Sequence, residues 1–72
     1  MIMITSKQWK LLRLMKRNGE IRAKDGRRVY NTYTGLFNAM KKLKSMGLID
    51  SYEDMIFGCR RYRLTVKGKR IL

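Results

Sequence analysis

Apolar positions along the chain form two helical stripes followed by one alternating segment. In the first stripe Leu11, Leu12 and Met15 share a face at helical spacing, with Trp9 and Leu14 at its margins and Lys10, Arg13 and Arg17 opposite. Thr5-Ser6-Lys7-Gln8 just ahead of it is a capping-box sequence: the Thr5 hydroxyl takes an orphan amide while Gln8 reaches back. Gly19 suits a left-handed stop, so the pattern predicts an amphipathic helix over 7–18. In the second stripe Leu36, Met40 and Leu43 recur at i, i+4 and i+7, bordered by Ala39 and Met46 on one flank and Phe37 on the other. Its opposite arc holds Thr34, Asn38, Lys41, Lys42 and Ser45, and Gly47 closes a helix predicted over 33–46.

The segment between the stripes is less periodic. Glu20 and Ile21 read as a very short strand, 23–30 as a short helix, and Asn31-Thr32 as the turn and N-cap of the next helix. Gly26 weakens that middle helix by roughly 1 kcal/mol relative to alanine. Beyond Gly47, residues 48–65 read as a hairpin with a Gly58-Cys59 turn, after which Tyr62 and Leu64 alternate with Arg61 and Arg63. Met55, Ile56 and Phe57 are three apolar residues in a row near its tip. They read as a core-facing bend, with an exposed adhesive patch as the alternative.

Charge changes the picture. Eighteen lysines and arginines against five acids give a net charge of +13 over 72 residues. Solubility asks only roughly 2 to 8 of a small domain, so the excess calls for a polyanion. Nucleic acid is the first candidate, ahead of an anionic membrane or an acidic protein. Three of the five acids, Asp50, Glu53 and Asp54, sit in the first arm of the hairpin, while six of the last thirteen residues are Lys or Arg. That asymmetry fits a tip and second strand that face phosphate, and it also allows cross-strand ion pairs within the hairpin. With 44% hydrophobic residues there is enough apolar material to fold.

Other chemistries are excluded by what the chain lacks. There is one cysteine, Cys59, and no histidine, which removes an intrachain disulfide, the usual zinc sites and histidine-based acid–base catalysis. No nucleophile–base pair is present, so no enzyme and no cofactor is expected. The opening MIMI is too short for a secretory apolar region, and no run approaches the ~18 apolar residues of a membrane span. The expectation is one cytoplasmic domain over 1–72, without linker, repeat or proline.

With elements in the order helix, short helix, helix, hairpin, three pieces carry a family resemblance: NGEIRAK at 18–24, LKSMGLI at 43–49 and YRLTVKGKRIL at 62–72. Together they resemble the winged helix-turn-helix pattern of MarR-like and PadR-like transcriptional regulators. In style the chain is also similar to small winged-helix proteins of archaeal viruses and plasmids, for which the compartment would be the host cytoplasm. The resemblance implies an α+β fold: three helices, a two- or three-stranded β-wing and a short C-terminal helix. It places the recognition helix at 33–46 and the wing tip near 58–61. Two departures stand out: the second helix is poor in apolar residues, and the extra helices that dimerise those regulators and enclose their ligand have no counterpart before Leu72. No effector pocket is therefore expected. Monomer and homodimer both stay open, a dimer having MIMI, the face around Trp9, or 55–57 to use.

The resulting expectation is a small transcriptional regulator that binds double-stranded DNA. Asparagine can donate to and accept from an adenine edge, threonine offers a hydroxyl and a methyl, and lysine reaches guanine acceptors. Thr34, Asn38 and Lys41 are thus expected at base edges, and Lys42, Ser45, Arg60, Arg61 and Arg63 at phosphates, the wing arginines entering a minor groove. Two alternatives remain. An RNA-binding protein would stack unpaired bases on Trp9, Tyr30, Tyr33, Tyr52 or Tyr62. A winged-helix protein-interaction module would expose 55–57. A membrane-surface role is not expected, because the core needs both apolar stripes.

Overall fold

The structure is a computed structural model and describes residues 3–56 and 58–72. Among them the elements run α1 (Ser6–Asn18), β1 (Glu20–Arg22), α2 (Ala23–Gly26), α3 (Tyr33–Ser45), β2 (Ile49–Asp54), β3 (Cys59–Leu64) and α4 (Val66–Arg70). The strands form one antiparallel sheet in the order β1-β3-β2. Ile21 faces Tyr62 across one side of β3, and Ile49 faces Leu64 across the other. These residues, with Leu11, Leu12 and Met15 of α1, Leu36, Met40 and Leu43 of α3, and Leu48, make a single core. Both predicted stripes are buried, and Trp9, Leu14 and Met46 pack at the margin as their spacing predicts.

Local chemistry explains where the helices begin and end. At α1 the reciprocal capping box is complete: the Gln8 amide donates to Thr5 Oγ1 at 3.2 Å, and the Thr5 amide donates to Gln8 Oε1 at 3.0 Å. Gln8 is buried, and the box satisfies its backbone amide and its Oε1. Gly19 ends α1 at φ 82° and ψ −54°, a positive-φ conformation suited to glycine but not the left-handed helical cap the sequence suggests. Thr32 caps α3 by accepting from the Gly35 amide at 3.1 Å. α3 leaves through a Schellman turn, in which the Leu48 amide donates to the Leu43 carbonyl at 3.1 Å and the Gly47 amide to the Lys44 carbonyl at 2.9 Å. Gly47 supplies the required positive φ of 76°.

Four expectations are corrected. The middle helix is a single turn, Ala23–Gly26, and 27–29 continue as turns held by i→i+3 bonds. Gly26 is a packing requirement more than a weakness, since a Cβ there would lie 2.5 Å from Cδ1 of the buried Leu36. The hairpin turn is not Gly58-Cys59, because Cys59 already pairs with Asp54 as the first residue of β3. The core-facing bend is also wrong: Met55 and Ile56 are each 86% exposed, and Phe57 lies outside the described residues. The sheet ends at the Asp54–Cys59 pair, and Met55 and Ile56 lie beyond it.

α4 docks back onto the exit from α3. Thr65 Oγ1 accepts from the Gly68 amide at 3.0 Å and donates to the Gly47 carbonyl at 2.6 Å, while the Leu48 carbonyl accepts from the Thr65 amide at 3.1 Å. Gly68 approaches so closely that a Cβ would meet the Leu48 carbonyl oxygen at 2.1 Å, a backbone atom that cannot swing aside. Gly19, by contrast, has open space and only its positive φ to protect it. We therefore expect Gly68→Ala to destabilise the fold by about 2 to 4 kcal/mol, and Gly19→Ala by only about 1 to 2 kcal/mol. Urea titration followed by circular dichroism ranks the two, and equal midpoints would refute the close approach.

Candidate nucleic-acid interface

The long exposed arc of α3 is the centre of the candidate site. Because Leu36, Ala39, Met40 and Leu43 are buried, helical geometry turns Thr34, Asn38, Lys41 and Ser45 outward, and all four are exposed. Lys42 is exposed at the edge of the same arc. Ser45 already donates its hydroxyl hydrogen to the Lys42 carbonyl at 2.7 Å. A phosphate oxygen can only accept, so Ser45 must give up that bond to hold one.

The hairpin lies beside this helix and is tied to it. Lys44 Nζ donates to Ser51 Oγ at 3.0 Å, joining the last turn of α3 to β2. Between them runs a groove of about 210 Å³, lined by Phe37, Lys41, Lys44, Ser51, Arg60 and Tyr62. Alternation along β3 splits the wing arginines. Arg60 shares the sheet face of Tyr62 and opens on the α3 side, whereas Arg61 and Arg63 belong to the other face.

On that outer face the cations are already engaged. Arg61 Nε contacts Asp54 Oδ2 at 3.2 Å, and its Nη1 lies 3.6 Å from Glu20 Oε1. Tyr52 donates its hydroxyl hydrogen to Glu20, and Arg63 lies 5.0 Å from the Tyr52 ring centroid. The bond to Glu20, helped by desolvation, holds the Tyr52 phenol above its ordinary range. Arg63 stands opposite both Glu20 and Asp50 in register, and Arg60 opposite Glu53. Among the described residues, however, Arg61 is the cation in both ion pairs. Eighteen cations against five acids leave most of the positive charge without a carboxylate to pair with.

Sequence reasoning missed a third feature. Tyr33 and Phe37, one turn apart on the wing-side flank of α3, stack with ring centroids 5.9 Å apart and planes 19° apart. The Arg27 guanidinium lies 4.6 Å from the Tyr33 centroid. Arg27 is itself fixed, donating through Nε to the Tyr30 carbonyl at 3.3 Å and through Nη2 to the Asn31 carbonyl at 2.7 Å. The i, i+4 spacing of two aromatics was the available signal. The aromatics considered for stacking RNA bases do not converge. Tyr62 is buried, Trp9 and Tyr30 pack against the core, and burial raises the Tyr30 phenol although a hydrogen bond with Thr5 lowers it. No helix among the described residues is long and apolar enough to cross a membrane.

No family model matches the chain, and no curated protein does. Solved structures do. The adhesin competence repressor AdcR of Streptococcus pyogenes superposes with a TM-score of 0.85 at 20% identity, over 94% of this chain and 50% of its own. A cysteine-to-serine mutant of MarR from E. coli, in complex with operator DNA, gives 0.83 at 21% identity over 94% and 50%. A double mutant of ZitR from Lactococcus lactis gives 0.84 at 21% identity over 97% and 49%. The chain thus spans about half the length of these regulators. Its helices, its three-stranded sheet and their order are those of the winged-helix fold of MarR-family transcriptional regulators.

Proposed function

We propose that the protein binds double-stranded DNA and acts as a small transcriptional regulator, with α3 in the major groove. One observation carries the reading: the exposed arc of the best-anchored helix presents Thr34, Asn38 and Lys41, side chains suited to base edges, in a chain of net charge +13. The operator complex of the structurally similar MarR supports the same use of the fold. Lys42 and Arg60 neutralise phosphates on the two sides of α3, and Ser45 joins them once it releases its internal bond. Arg61 and Arg63 reach backbone or a minor groove only where the duplex curves round the wing, and Arg61 must then leave Glu20 and Asp54. Such a regulator works in the cytoplasm and takes no cofactor.

A second reading rests on the exposed pair Met55 and Ile56 at a tip whose flanking Glu53 and Asp54 would repel phosphate. That tip suits a protein partner better than DNA, and the two uses are compatible on one domain.

Selection from a randomised duplex pool at near-physiological salt tests the proposal. Enrichment of a motif is expected, and a palindromic motif with half-sites about 10 base pairs apart would make the bound form a dimer. If no sequence is enriched, α3 does not read bases. On the enriched site Asn38→Ala should lose about 1 to 3 kcal/mol and relax one position, while an equal loss on every sequence would refute its base-reading role. Arg60→Ala should lower the slope of log affinity against log salt by about one unit. Arg61→Ala should lower it by less, because its charge is already compensated; the reverse order would put the duplex on the outer face of the sheet.

A further inference from the structure

Tyr33 and Phe37 are each 46% exposed, and neither is among the buried residues of the core. Their geometry is nevertheless fixed, because Arg27 is bonded to two loop carbonyls, covers the Tyr33 ring, and Tyr33 stacks on Phe37. Two aromatic rings held in place outside the core are a prepared contact surface, since little side-chain entropy remains to be lost on binding. The pair runs parallel to Thr34 and Asn38, one residue further round the same helix and in its N-terminal half, the part that reaches base edges in helix-turn-helix docking. Lys41, Lys44 and Arg60 line the groove next to Phe37, so the surroundings are cationic.

What can a phenyl ring recognise there? It has no donor for phosphate, and the faces of paired bases are covered by their neighbours in the stack. In the major groove the apolar group that an unmodified base pair presents is the 5-methyl of thymine. Asparagine at the next position suits the adenine edge of the same type of pair.

We propose that Phe37, backed by Tyr33 and Arg27, reads thymine 5-methyl groups in the major groove and biases the protein toward A·T-containing sites. This rests on the duplex-binding reading above. Because the discriminating group is one methyl, 5-methylcytosine presents the same feature in a different base pair.

The test uses four duplexes of equal length at one salt concentration: alternating dA-dT, the same with deoxyuracil for thymine, alternating dG-dC, and the same with 5-methylcytosine. Within each pair the protein should bind the methyl-bearing duplex about fourfold more tightly for each methyl covered. Comparison within pairs separates the methyl from groove shape. Phe37→Ala should abolish both ratios, which are read within each pair and so do not depend on any overall change in affinity, and its exposed position makes loss of the fold unexpected. Arg60→Ala serves as the contrast, weakening all four and preserving the ratios. Equal binding within each pair by the native protein, or ratios that survive Phe37→Ala, would overturn the inference while leaving duplex binding intact. Failure to bind any of the four would overturn the duplex-binding reading itself, and this inference with it.

Discussion

The fold depends on two residues just beyond the C-cap of α3, Gly47 and Leu48. Leu48 is fully buried and closes the helix through its amide, while its carbonyl receives the Thr65 amide from the far end of the hairpin. Gly47 supplies the left-handed turn, and its carbonyl receives the Thr65 hydroxyl. Lys67 adds a bond from Nζ to the Met46 carbonyl at 3.1 Å. The last carbonyls of a helix are ordinarily left to water. Here the carbonyls just beyond α3, those of Met46, Gly47 and Leu48, are bonded by α4 and its cap, so α3, the entry to the hairpin and the C-terminal turn share one junction. The need for glycine at both 47 and 68 follows, one for its φ and one because the chains approach so closely.

From that junction the orientation of α3 is passed to the sheet by two further contacts. Gly26 lets α2 close over Leu36 near the start of α3, and Lys44 bridges to Ser51 near its end. The helix is therefore held at both ends, which is what a base-reading element requires, because a hydrogen-bond code is only as sharp as the placement of its donors. The hairpin tip is the opposite case. It extends past the last strand pair, carries Met55 and Ile56 into solvent, and is tethered by Asp54, whose carbonyl takes the Gly58 amide and whose carboxylate takes the Ile56 amide.

What was legible in the sequence was what local chemistry decides. Thr5 and Gln8 announce their capping box, Thr32 its cap and Gly47 its stop, since each depends on residues within one or two turns. The two apolar stripes locate the core because helical spacing admits one arrangement. Gly26 was misjudged because its reason is Leu36, ten positions away and visible only once α2 packs on α3. Met55 and Ile56 were misjudged because apolarity cannot say where a sheet ends; that is set by the Asp54–Cys59 register. At the candidate site, the outward arc of α3 followed from the stripe. The division of Arg60 from Arg61 and Arg63 follows from strand alternation, whereas the partners of Arg61 required knowing that β1 lies beside β3.

That division bears on how so basic a domain could be selective. A net charge of +13 attracts any polyanion, and the attraction is long-ranged and indifferent to sequence. Selectivity has to come from short-range contacts that the diffuse attraction does not swamp. The sheet bears on this, since Glu20 and Asp54 pair with Arg61 on the outer face, whereas Arg60 beside α3 has Glu53 opposite it in register but forms no ion pair among the described residues. Acidic residues are few, and those that are ion-paired lie on the face away from the reading helix. On the duplex-binding proposal, discrimination then rests on Thr34, Asn38, Lys41 and Phe37, which are displayed on α3, and not on the general attraction of the charge.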